Sequence, residues 1–117
     1  MALIRLTKAE VATIASGAAV SGAIDVSRYS GMNIQMPSTW TAASVGFKVC
    51  DTEGGTFLPL YDATGTLVQI ASPAASKAYS APAELFAAIY VKLWSQDGAG
   101  SDTNQAAART LTLTFKA

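Results

Sequence analysis

The chain has 117 residues and a mass of 12.0 kDa, with eight basic and eight acidic residues and no histidine. That length suits one domain. A net charge of +0, scattered singly, offers no basic stripe for a phosphate backbone and no polybasic or amphipathic segment for a membrane surface. No run approaches the roughly 18 apolar residues of a membrane span.

In chain order, "ALIRLTK" alternates, with Leu3 and Arg5 facing one way and Ile4 and Leu6 the other. The opening seventeen residues lack a long apolar stretch after a basic start, so no secretory signal is expected. Next, "AEVATIASGAAVSGAIDVSRY" puts Ile24 and Val26 on one side and Asp25 and Ser27 on the other. Its small Ala, Ser and Gly residues belong where another backbone comes close. "GMNIQMP" sets Met32, Ile34 and Met36 against Asn33 and Gln35, and Pro37 ends the strand.

Residues 38–70 read as a meander of three strands. Val45, Phe47 and Val49 alternate with Gly46, Lys48 and Cys50. Glu53-Gly54-Gly55-Thr56 is expected to supply positive-φ residues for a hairpin. Pro59 marks an edge strand, and "DATG" forms a second turn before "TLVQI". Pro73 and Pro82 bracket a loop with a short strand at 78–80, and "PAELFAA" makes one helical turn. "AIYVKLWSQ" places Ile89, Val91 and Leu93 opposite Tyr90, Lys92 and Trp94. A polar loop of a dozen residues follows, and "RTLTLTFKA" closes the chain with Leu111, Leu113 and Phe115 on one face and three threonines on the other. Seven to nine short strands joined by turns predict an all-β, single-domain antiparallel β-sandwich over 1–117, jelly-roll-like, with at most one short helical turn.

Chemistry is sparse. Without histidine there is no Ser-His or Cys-His pair, and one cysteine builds neither a disulfide nor a structural zinc site. Cys50 reads as a small buried strand residue. Asp51, Glu53 and Asp62 fall at hairpin ends, where carboxylates cap turns. "DGAGSD" at 97–102 lacks the spacing of a calcium loop. No enzyme activity, cofactor or metal is expected. The aromatic residues Trp40, Tyr61, Tyr90 and Trp94 offer either a stacking platform for a sugar or packing surfaces, with Trp40 plugging one end of the core. With charged residues at only 14%, the surface is neutral enough to be packed against other copies or a partner.

The stretch from Thr13 to Ile70, followed by "NQAAARTLTLTFK", resembles small structural proteins encoded by tailed bacteriophages. A "P-x-x-W" element precedes a hairpin that runs from Phe47 to Gly55-Thr56-Phe57, and "N-Q-x-A-x-R" leads into the last strand. Pro37, Trp40, Gly54, Gly55, Phe57 and Arg109 match that pattern, and all have structural roles open to them. The resemblance implies a jelly-roll virion protein, a head decoration (cement) protein that binds the major capsid protein and sits on the shell as a homotrimer. It would be assembled in the bacterial host cytoplasm and reside on the capsid surface. Trp40, Phe57, Tyr90, Trp94, Gln105 and Arg109 are the structural or interface candidates, Arg109 tying the long loop to the last strand through Gln105. The expected contact segments are residues 1–20, as an arm outside the clearest strands, and the loop from Ser95 to Ala108. Deleting the first ten residues is then expected to spare the fold and abolish attachment. Two alternatives stand: a carbohydrate-binding module stacking a sugar on Trp40 or Trp94, and a tail, neck or fibre component of the same fold.

Overall fold

The computed structural model describes residues 7–117; the alternation read in residues 2–6 lies outside them. Nine strands form two antiparallel sheets, with no α-helix among the described residues. The first sheet runs β1 (Thr7–Ile14), β9 (Arg109–Lys116), β3 (Gly31–Gln35), β7 (Ala78–Ser80). The second runs β2 (Ile24–Asp25), β8 (Tyr90–Gln96), β4 (Ser44–Cys50), β5 (Leu58–Pro59), with β6 (Gln69–Ile70) also on β4.

The pairing is nested: β1 with β9, β2 with β8, β3 with β7, and β4 with β5 and β6. One long antiparallel ribbon is thus folded over on itself, and β9 beside β3 and β8 beside β4 close the two sheets. This is the eight-stranded jelly roll, with β5 and β6 as two pieces of one strand.

Period-two alternation fills the interior. Ile14, Ile34, Phe47, Leu93, Leu111, Leu113 and Phe115 are wholly buried, and the two sheets close over them. Each such side chain removed from water contributes about 1.5–3 kcal/mol. Met32 and Met36, and Ile24 and Val26, point inward as their alternation requires. Tyr29 stacks obliquely on Phe115 at 4.8 Å between centroids. Pro82 precedes one 3₁₀ turn, Ala83–Ala87, whose Leu85 plugs the core.

Three expectations are corrected. First, residues 38–70 are not a three-strand meander. β5 pairs Lys48–Val49 and β6 pairs Val45–Gly46, so both lie along one edge of β4, with a turn at 61–67 between them. Alternation reports which face a residue takes, not which strand is its neighbour. Pro59 does sit on that edge, where its missing N–H costs nothing. Second, Gly54 and Gly55 do not adopt positive φ; Gly17, Gly65, Gly98 and Gly100 do. Gly55 is needed for closeness instead, since a Cβ there would run into Thr52 Oγ1 and come within 2.6 Å of Cys50 Sγ. Cys50 itself is half-buried at the end of β4. Third, residues 7–14 are no arm lying outside the sandwich: they pair with β9 along all eight positions.

Candidate interaction surface

Between β8 and β9 the chain makes its longest excursion, and Gln105 anchors it. This side chain is wholly buried. Its Oε1 accepts from the Thr41 N–H at 2.9 Å and from Arg109 Nε at 3.2 Å. Its Nε2 donates to the Thr41 carbonyl at 3.1 Å and to Ser95 Oγ at 2.8 Å. Its backbone pairs with the turn after β1, accepting from the Gly17 N–H and donating to the Ala18 carbonyl. Arg109 adds an Nη2 bond to Thr41 Oγ1 at 3.2 Å. The predicted tie between Gln105 and Arg109 exists; Thr41 and Ser95, its other members, carry no local signal. A second buried amide, Gln96, donates to Gln69 Oε1 and accepts from the Gly98 and Gly100 N–H groups. These amides fix loops, Gln105 with all four of its side-chain positions bonded and Gln96 with three.

The aromatic candidates separate. Trp94 faces out of the second sheet, as its alternation predicts, yet it is only 2% exposed. Gly46 lies against it, so that a Cβ there would approach Trp94 Cε3 to 2.9 Å. The loop folds back over it, and its indole N–H donates to Asp102 Oδ1 at 2.7 Å. An indole so enclosed has no free face for a sugar ring. Trp40 is half-buried against the core and donates to the Ala43 carbonyl. Tyr90 and Phe57 are half-buried on the outward side of the second sheet, and Tyr61 is exposed.

Of the carboxylates that the sequence places at hairpin ends, Asp62 caps its turn, whereas Asp51 meets only the Cys50 thiol and Glu53 makes no hydrogen bond among the described residues. Asp62 accepts from the Thr64 hydroxyl, and from the Thr66 and Thr64 N–H groups, which hold its pKa below the usual range. Asp97 is lowered in the same way by the N–H groups of Ala99 and Ser101, and Asp25 by the Ser27 hydroxyl and N–H. No cluster of three or more metal-ligating side chains occurs among the described residues.

What remains is surface. Register and alternation put Thr7, Ala9, Val11 and Thr13 beside Lys116, Thr114, Thr112 and Thr110 on the outer face of the first sheet. Gly31, Asn33 and Gln35 continue it, with Ser80 and Ala78 beyond. Among the described residues this four-stranded face carries a single charge, Lys116 at a corner. Thr13 and Thr110 share a hydroxyl bond across it at 3.3 Å, and Val11 stands 59% exposed. At one end of the sandwich, a shallow groove of about 270 Å³ runs between Val49–Asp51 and Ala87–Ile89. Ile89 and, opposite Val49 on β5, Leu58 add exposed apolar surface at that end.

No family model matches the chain, and no curated protein matches it. The crystal structure of the SPBc2 prophage-derived protein YomS is similar in fold, with a TM-score of 0.57, 11% sequence identity and 100% of each chain covered. At that identity the likeness is one of fold, and the same sandwich serves a prophage-derived chain.

Proposed function

We propose that the protein is a non-enzymatic structural component of a phage virion, a head decoration (cement) protein that binds the major capsid protein as a homotrimer. The observation that carries this reading is the outer face of the β1-β9-β3-β7 sheet, uncharged among the described residues except for Lys116 at its corner. A hydroxyl-rich face with exposed, apolar Val11 on its β1 edge desolvates at little cost against another protein surface, whereas a heavily charged one would not. With strands about 4.8 Å apart and about 3.4 Å per residue, the strands of this face span about 400 Å², about 800 Å² once both partners are counted, which is short of a specific interface taken singly. Many such weak contacts acting together hold a lattice-bound protein by avidity. The fold shared with a prophage-derived protein supports the phage setting. The buried amides engaged in holding loops and the apolar interior support a reading in which the surface does the work.

The test is to identify the chain by mass spectrometry in purified virions, then add purified protein to expanded heads that lack it and locate it by cryo-electron microscopy. Density at threefold positions, with heads that withstand more heat, supports the reading. Absence from virions, or heads that remain bare, overturns it.

A further inference from the structure

Lys48 and Lys92 are direct cross-strand partners on β4 and β8, both pointing out of the second sheet. Like charges opposite one another weaken a sheet. An acid nearby is the ordinary remedy, yet among the described residues the only ion pair joins Lys8 to Glu10 on β1. Neither lysine makes an ion pair among the described residues; on this side Asp102 accepts the Trp94 indole N–H, Asp25 the Ser27 hydroxyl and N–H, and Asp51 the Cys50 thiol. The two ammonium groups part instead. Lys48 Nζ lies 4.7 Å from the Trp94 ring centroid and Lys92 Nζ 4.5 Å from that of Phe57. Ring faces hold a cation without neutralising it. The two positive charges of the pair are thus held over aromatic rings, with no ion pair to either lysine among the described residues.

We infer that the Lys48–Lys92 pair is a docking point for a carboxylate-bearing segment of the protein partner, two acidic side chains seated between the ammonium groups. The inference rests on the reading of the chain as a protein that binds a protein shell. The outer faces of the two sheets point in opposite directions, so the lysine pair meets a different neighbour on the shell from the one the first sheet meets, and there it supplies register and encounter rate. An acidic segment bridging the pair would also relieve the repulsion between its members, so docking and the stability of the second sheet are linked.

Two measurements test this. Head occupancy is titrated for the wild type, Lys48→Gln, Lys92→Gln, the double Gln variant and the double Arg variant. Each Gln substitution weakens binding up to about fivefold, and Arg restores it. Salt weakens wild-type binding but leaves the double Gln variant unchanged. Unchanged circular dichroism and melting certify the fold, because Lys48 lies over the Trp94 ring and its substitution alters that fluorescence directly. Separately, the free protein is titrated with hexaglutamate at low salt while the lysine side-chain resonances are followed by NMR. Shifts confined to Lys48 and Lys92 and abolished by salt support the inference even if heads stay bare, an outcome that would remove the head-decoration reading alone. Wild-type heads fully occupied, with the double Gln variant binding equally and with the same salt response, would overturn the inference and leave that reading standing. Unmoved lysine resonances would overturn it as well.

Discussion

Arg109 reaches back one short turn of chain to donate its Nε–H to Gln105 Oε1 at 3.2 Å, and the same oxygen accepts the Thr41 N–H at 2.9 Å. One buried amide therefore joins the entry to β9, the loop before β4 and, through Ser95 Oγ, the end of β8. Three parts of the chain far apart in sequence share a single side chain, so its loss is felt by all of them.

Gln105→Ala removes every side-chain bond of that group and leaves the Thr41 N–H and carbonyl to find new partners. Each buried polar group left unpaired costs about 1–3 kcal/mol, so the variant is destabilised by about 3 kcal/mol or more. Gln35→Ala, on an exposed position of β3, changes stability by less than about 0.5 kcal/mol. Urea unfolding followed by circular dichroism measures both. A Gln105→Ala midpoint equal to that of Gln35→Ala would remove the anchoring role.

Gly46 and Trp94 are register partners, and the indole occupies the space a methyl group would need. Gln96 Cγ, 3.2 Å from the same point, blocks the other way out. Gly46→Ala therefore forces the indole outward at a cost of about 1–3 kcal/mol. Its fluorescence shifts to the red and becomes more open to acrylamide quenching, while Trp40 is unaffected. An unshifted spectrum would show that the loop over Trp94 yields more readily than its hydrogen bonds imply.

How far these features were legible differs from residue to residue. Alternation found the inward rows of β3, β4, β8 and β9, because a strand buried on one side must repeat every two residues. It also put Trp94 on the outward side correctly. It missed that Trp94 is buried there, since "DGAGSD" carries no apolar signal; the loop is held down by the Asp102 carboxylate and by N–H groups bound to Gln96. Gln105 and Arg109 were legible through close spacing, but Thr41 meets them across more than sixty residues. The placing of β5 and β6 on one edge of β4 was hidden for the same reason: strand partners are chosen by the folded ribbon, not by local pattern.

The turn carboxylates set the acid limit. Asp62 has a folded-state pKa below the unfolded value of about 3.9, because hydrogen bonds from Thr64 and Thr66 favour its ionised form. Its contribution is therefore complete above about pH 4 and is lost as pH falls through the lower folded value. Asp25 and Asp97 act in the same direction. The melting temperature of the wild type should exceed that of Asp62→Ala near neutral pH, and the gap should close as acidification carries the solution below the ordinary carboxylate range. A gap that persists at low pH would assign the effect to turn geometry rather than to the charge.

The segment before Val11 has two roles that a deletion can separate. Removing residues 1–10 strips β9 of its partners at Leu113–Lys116 along one edge, while β3 still pairs the other edge from Thr112 to Lys116. The core row Leu111, Leu113 and Phe115 stays covered by the second sheet, so the fold survives. Several edge hydrogen bonds at about 0.5–1.5 kcal/mol each are lost, together with the small contribution of the Lys8–Glu10 pair. The truncated chain should remain a cooperative β protein, less stable by about 2–4 kcal/mol. Amide exchange should quicken in β9 and stay slow in β4 and β8. Because Thr7 and Ala9 also form part of the uncharged outer face, attachment to heads should fall even at temperatures where the truncated chain is fully folded. Full occupancy under those conditions would move the contact off this face, whereas global unfolding would show that β1 does more than complete an edge.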